Sequence, residues 1–236
     1  MADLLIVKNI PREGPGLLAG VLEKQNVSYD VVDLDAGDAF PSPVGYKALV
    51  VLGGPDSAND TTEKIQQELA QIRLALANTL PYLGICLGLQ VAVKAAGGRV
   101  LPGTQKEIGF MDPAGRPYAV TATDAGVQDP LLAGLPSPLT VFQLHGEVVE
   151  LTPAMTLLAS SPVCPQIVKV ADKAYGIQSH FELTEDMLKL WAEQDPDLQP
   201  LGYQKLNTEF AAIRRQYTDI GERLLTNFLQ IAGLVA

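Results

Sequence analysis

The chain has 236 residues, 47% of them hydrophobic and 19% charged, a balance that excludes a disordered or collagen-like chain and is enough to bury a substantial core, with a single domain over 1–236 expected. Seventeen Lys plus Arg against 27 Asp plus Glu leave a net charge of −10, and with no basic run to offset it nucleic acid is not an expected partner. The opening MADLLIVKNIPREGPG has no basic leader and its apolar run is too short for a signal peptide or a membrane span, so a cytoplasmic protein without membrane association is expected.

In chain order, short apolar runs alternate with stretches of helical period. LLIVKNI (4–10), YDVVDL (29–34), KALVVLGG (47–54) and PYLGIC (81–86) read as buried strands of a mostly parallel sheet. GLLAGVLEKQ (16–25) and TTEKIQQELAQIRLALANT (61–79) read as helices, the second with Asp60 as N-cap and Glu63 as its capping-box partner. The pattern predicts a flavodoxin-like α/β three-layer sandwich. After Gly98 the texture becomes turn-rich: RPYAVTA, LTVFQLHGE, MTLLASS and QIVKVADKAYGIQSH read as antiparallel or mixed strands, a sheet extension or small insertion. From about 184 to 236 the chain is a helical extension, TEDMLKLWAEQ followed by a long helix over 206–234, with PDLQPLG as a helix-to-helix loop.

EGPGLLAG (13–20) follows the first strand and opens a helix, and Asp33 or Asp35 follows the second strand, an arrangement close to a dinucleotide site. The third glycine falls one residue late, and Pro15 offers no N–H where a pyrophosphate wants one, so no nucleotide cofactor is expected. Cys86 and Cys164 with His145 and His180 show no CxxC or HxxxH spacing, so neither a metal site nor a disulfide framework is expected.

Cys86 sits at the carboxyl end of a strand and is followed at once by the helical LGLQVAVKAAGG, the place where α/β folds bind ligands. Gly84 and Gly88 flank it by two residues on each side and remove side chains that would clash across a strand-to-helix elbow. A helix N-terminus aimed at the sulfur favours negative charge there. A nucleophile needs a base, and YGIQSHFEL supplies His180 with Glu182 two residues on. In a strand both would emerge on one face, about 6 to 7 Å apart. Cys86, His180 and Glu182 then form a thiol triad. VLGGPDS ends the third strand with the Gly53-Gly54 turn, either a plain loop or a source of uncovered N–H groups for an oxyanion, with the N–H of Leu87, directly after the nucleophile, as the other donor.

Together GICLGLQ, LGGPDS and GIQSHFE resemble the class I, triad-type glutamine amidotransferases, in particular the free-standing branch similar to the glutaminase domain of GMP synthase. GGRVLPGTQKEIGF and FQLHGE fall in the same order as in that branch, so the likeness spans nearly the whole chain. The resemblance implies release of ammonia from glutamine through a γ-glutamyl thioester on Cys86, with Gly53, Gln90 and His145 lining the glutamine pocket. It also implies a synthetase subunit as ammonia acceptor, since no GxxxxGK[ST] pattern occurs here. A homo-oligomer is compatible with it. Ser179, Phe181 and Glu147 stand where relatives commonly carry an aromatic residue, a proline and an aspartate. Another γ-glutamyl compound, hydrolysed by the chain acting alone, is therefore the alternative substrate, and a non-catalytic DJ-1-like regulatory protein the alternative class.

Overall fold

The computed structural model describes residues 2–236. The first strand, β1 (Leu4–Lys8), is apolar on both faces: Leu4 and Ile6 point into one core and Leu5 and Val7 into another, as the two-residue period of a strand requires. Helix α1 (Leu17–Lys24) leads to β2 (Tyr29–Asp33), and a loop without a helix leads on to β3 (Ala48–Val51). Then come α2 (Glu63–Ala77), β4 (Tyr82–Ile85) and α3 (Leu87–Ala95). Thr62, not Asp60, caps α2: its hydroxyl accepts from the Ile65 N–H at 3.4 Å, whereas Asp60 turns back to accept from the Ser57 N–H. Asp60 therefore closes the preceding turn, and Glu63 begins the helix rather than completing a capping box.

The segment after Gly98 divides between two sheets. β5 (Arg99–Gly109) pairs only with β8 (Gln143–Glu150), an antiparallel ribbon separate from the main sheet. β6 (Ala119–Ala122), the short helix α4 (Asp124–Gln128), β7 (Leu139–Thr140), β9 (Thr156–Ser160) and β10 (Pro165–Ala171) extend the main sheet with antiparallel pairings. LTVFQLHGE is thus two strands in two sheets, and QIVKVADKAYGIQSH is a hairpin. The second arm of that hairpin, β11 (Ala174–Ile177), returns to the centre of the sheet and pairs parallel with β4.

The main sheet runs β2-β1-β3-β4-β11-β10-β9-β6-β7, its first five strands mutually parallel in the flavodoxin-like order. α5 (Glu185–Gln194) and α6 (Tyr203–Ile231) complete the chain, α6 starting and stopping three residues before the expected 206–234. α1 and α6 cover one face of the sheet, burying Leu18, Leu22, Leu224 and Phe228, while α2 and α3 cover the other with Ile65, Ile72, Val91 and Val93. A third apolar cluster, including Phe110, Phe142, Trp191 and Tyr217, joins α5 and α6 to the end of β8. Among the described residues no helix is long and apolar enough to cross a membrane.

Candidate active site

Cys86 occupies the one-residue break between β4 and α3. Its backbone stands at φ +50°, ψ −106°, a conformation that costs a non-glycine residue about 1–3 kcal/mol and is tolerated where the surroundings over-determine it. Here they do: the Cys86 N–H donates to Ile177 O at 2.7 Å and its carbonyl accepts from the Gln90 N–H at 3.1 Å. The elbow also needs its glycines, since a Cβ on Gly84 would lie 2.4 Å from the backbone of Gly88. The strain aims the side chain out of the sheet toward the carboxyl ends of the strands.

His180 reaches Cys86 because β11 lies beside β4 in register Ile177 to Ile85, so the residues after each strand leave the sheet side by side. His180 and Glu182 do not alternate along a strand as expected. They lie beyond β11, where the His180 N–H donates to Phe142 O at 2.9 Å and the Tyr217 hydroxyl donates to the His180 carbonyl at 2.8 Å. Glu182 Oε1 lies 2.6 Å from His180 Nδ1, and its Oε2 accepts from the Phe181 N–H at 2.9 Å. The Trp191 and His180 rings pack edge to face, their centroids 5.0 Å apart. Burial opposes a charge on His180, but Glu182, with a hydrogen bond and charge from Cys86, outweighs it and holds the imidazole pKa well above its ordinary value.

Cys86 and His180 open into a cavity of about 480 Å³, also lined by Gly54, Gln90, His145 and Glu147. That is the size of a small-molecule site. Gly54 packs against Leu87, and among the described residues neither backbone N–H has a protein acceptor, so both are free to donate. Gly53 lies between Cys86 and His180. The Gln90 amide donates to Gln178 Oε1 at 3.3 Å, and Gln178 in turn reaches the Cys86 sulfur at 3.6 Å. Glu147 accepts from the Ser57 hydroxyl at 2.9 Å, which ties the β8 wall of the cavity to the turn after β3.

A second cluster of the same three residue types lies behind His145. Glu107, His145 and Cys164 bring their ligand-capable atoms within 4.8 Å of one another. Spacing along the chain gives no sign of this set, which β5, β8 and the turn before β10 assemble. Gln166 Nε2 sits 3.3 Å from Cys164 Sγ and 3.4 Å from Glu107 Oε2, and His145 Nε2 lies 3.3 Å from the same carboxylate. Burial first, and then the charge of Glu107, push the Cys164 thiol up to about 12. A thiol that keeps its proton is a poor nucleophile, and the three side chains with Gln166 form a polar strut behind His145.

The EGPG turn, set aside above as a dinucleotide site, packs against the segment that carries His180. Its Gly16 backbone lies against the carbonyl of Glu182, where a Cβ would come within 1.9 Å, and the Leu17 N–H donates to that carbonyl at 2.8 Å. The N-terminus of α1 is thereby committed to the segment carrying His180, which leaves no phosphate cradle. Gln178, Trp191, Tyr217 and Glu13 also border Cys86 and His180, and are not among the residues singled out from the sequence. Only Glu13 had a visible signal there, in EGPG. Phe181, at the position where a proline is common, is buried in the core against α6.

The family model for glutamine amidotransferase class-I matches residues 16–189. The glutamine amidotransferase-like protein YfeJ of Salmonella typhimurium is 37% identical over 161 residues, 65% of this chain and 64% of that protein. A GMP synthase of Paraburkholderia phytofirmans is 29% identical over 189 residues, 78% of this chain. The chain thus spans just under two thirds of the first relative and 34% of the GMP synthase. In three dimensions it is similar to a glutamine amidotransferase from Thermotoga maritima, with a TM-score of 0.84 over 97% of both chains at 24% identity, a likeness of fold.

Proposed function

The chain belongs to the class-I glutamine amidotransferase family, and on that premise we propose that it hydrolyses the side-chain amide of glutamine through a thioester on Cys86. The observation that carries the proposal is the strained elbow of Cys86, facing an imidazole braced by Glu182 in one cavity. In this mechanism the Cys86 sulfur attacks the γ-carbonyl and the oxyanion forms between the N–H groups of Gly54 and Leu87. His180 gives its proton to the departing nitrogen, the C–N bond breaks, and ammonia leaves. Water then attacks the thioester, passes a proton to His180, and glutamate departs as the thiolate re-forms. Glu182 keeps the imidazole oriented and stabilises its charge. Gly53, Gln90 and His145 shape the pocket.

The chain functions in this reading as one catalytic domain, its C-terminal helices closing the site through Trp191 and Tyr217, and a synthetase subunit receives the ammonia. The test is release of ammonia or amine from glutamine and from a panel of γ-glutamyl peptides, by the wild-type chain and by Cys86→Ala. Ammonia from glutamine, lost in Cys86→Ala, is expected. Turnover of γ-glutamyl peptides alone would replace glutamine with that substrate class, and no release from any of them would refute the enzyme.

A further inference from the structure

The cavity contains one carboxyl that the mechanism above does not use. Glu13, in the turn between β1 and α1, is 5% exposed, lines the cavity, and its Oε2 has no hydrogen-bond partner in the protein. Gly53 makes room for it: a Cβ at Gly53 would lie 2.3 Å from Glu13 Oε2, 3.2 Å from His180 Cε1 and 3.4 Å from Cys86 Cβ. One point is therefore shared by the orphan carboxyl, the catalytic imidazole and the nucleophile.

The charged neighbours do not satisfy it. His180 commits its Nδ1 to Glu182, and Arg12 is held by Asp195 at 2.8 Å. Burial pushes Glu13 up to about 7; His180 and Arg12 oppose the shift, and Glu182 and Asp195 add to it. Glu13 lines the cavity and has no hydrogen-bond donor from the protein, so a donor on the ligand is the partner left to its carboxyl. The turn is also latched in place, because the Leu17 N–H, two residues past Pro15, donates to the Glu182 carbonyl at 2.8 Å.

Two groups occupy the cavity side of His180 in turn: the nitrogen that leaves and the water that replaces it. Each carries a hydrogen besides the one exchanged with the imidazole. We propose that Glu13 is a further catalytic residue, which accepts a hydrogen bond from the leaving nitrogen during acylation and from the attacking water during deacylation, and so selects γ-carbonyl substrates whose leaving group bears an N–H. The proton bookkeeping is unchanged by it: the S–C bond forms as C–N breaks, the proton for the amine comes from His180, and Glu13 ends each half-reaction as it began.

The inference rests on the thioester reading, and one comparison separates the two. kcat/KM, which reports the steps up to the thioester, is measured for glutamine and for the γ-methyl ester of glutamate, whose leaving oxygen bears no hydrogen, with wild type, Glu13→Gln and Glu13→Met. Glu13→Met should lose at least about tenfold on glutamine and less than about threefold on the ester, with Glu13→Gln intermediate because its amide oxygen still accepts. The rise of the glutamine profile with pH near 7, absent from the ester profile, should disappear in both variants. Equal losses on the two substrates, or no loss, would overturn the inference while leaving the thioester reading intact. A wild-type chain that turns over neither substrate overturns both. Melting temperatures establish folding, and if Glu13→Met does not fold, the ratio for Glu13→Gln decides.

Discussion

Cys86 and Cys164 each have a histidine and a glutamate nearby, and the proposed function assigns the reaction to Cys86 alone. Cys86 has a helix N-terminus at its sulfur and an imidazole carrying Glu182, whereas Cys164 faces the carboxylate of Glu107 from a buried position. Limiting iodoacetamide at neutral pH should therefore label Cys86, as read by peptide mass mapping, and labelling mainly at Cys164 would sink the assignment. The members of the proposed triad should also weigh differently. Cys86→Ala and His180→Ala should each abolish turnover, while Glu182→Gln, which keeps the imidazole's position but not its charge partner, should retain activity on the order of 10⁴-fold below wild type. An active His180→Ala enzyme would end the triad hypothesis.

Helix α2 carries an ionisable group in its core-facing stripe. Glu68 is fully buried, neither of its carboxylate oxygens has a partner, and burial pushes it up to about 7 against its ordinary 4.5; Asn9 and Lys64 oppose that shift. A carboxyl whose folded value is raised stabilises the fold fully below the unfolded value, about 4.5, and loses that contribution as pH rises through about 7. The full swing is roughly 3 kcal/mol. Glu68→Gln, which stays neutral, should leave chemical-denaturation stability little changed at pH 4.5 and raise it at pH 8. Equal stability of the two proteins at pH 8 would show that the carboxylate finds water or a partner. Glu has good helical propensity, and the buried Tyr82 gives it no help, since its hydroxyl donates to Gly88 O.

At the scale of the whole molecule, the residues proposed as nucleophile, base and oxyanion donors all come from one chain, so the proposed hydrolysis would need no residue from a second polypeptide. In the proposed reading the missing part is a destination for ammonia. The turn after β3 carries Gly53 and Gly54 and is tied to the opposite cavity wall by the Ser57–Glu147 hydrogen bond, which makes it the element a partner could reposition. A measurable but slow basal glutaminase rate that rises when cell extract is added is expected of an amidotransferase subunit. Full activity of the purified chain on a γ-glutamyl compound, unchanged by extract, would instead identify a stand-alone hydrolase.

Much of the architecture is local and could be read from residues alone. Alternating apolar faces set the parallel strands and the flanking glycines marked the elbow at Cys86, because each depends on neighbours a few residues apart, whereas His180 and Glu182 meet beyond β11 and not along a strand as their spacing suggested. Pairings between distant segments could not be read that way. Cys86 and Gln178 are 92 positions apart in sequence and in contact only because a hairpin returns β11 to the side of β4. The same holds for the strut of Glu107, His145 and Cys164 and for Glu13, whose neighbours come from β3 and from the segment beyond β11. Periodicity and turn chemistry determine which face of an element is apolar and where the chain bends. Which elements become neighbours, and hence which buried polar groups meet, is decided by the packing of the whole sheet and its helices, where burial removes water and leaves each such group dependent on the partner that the fold supplies.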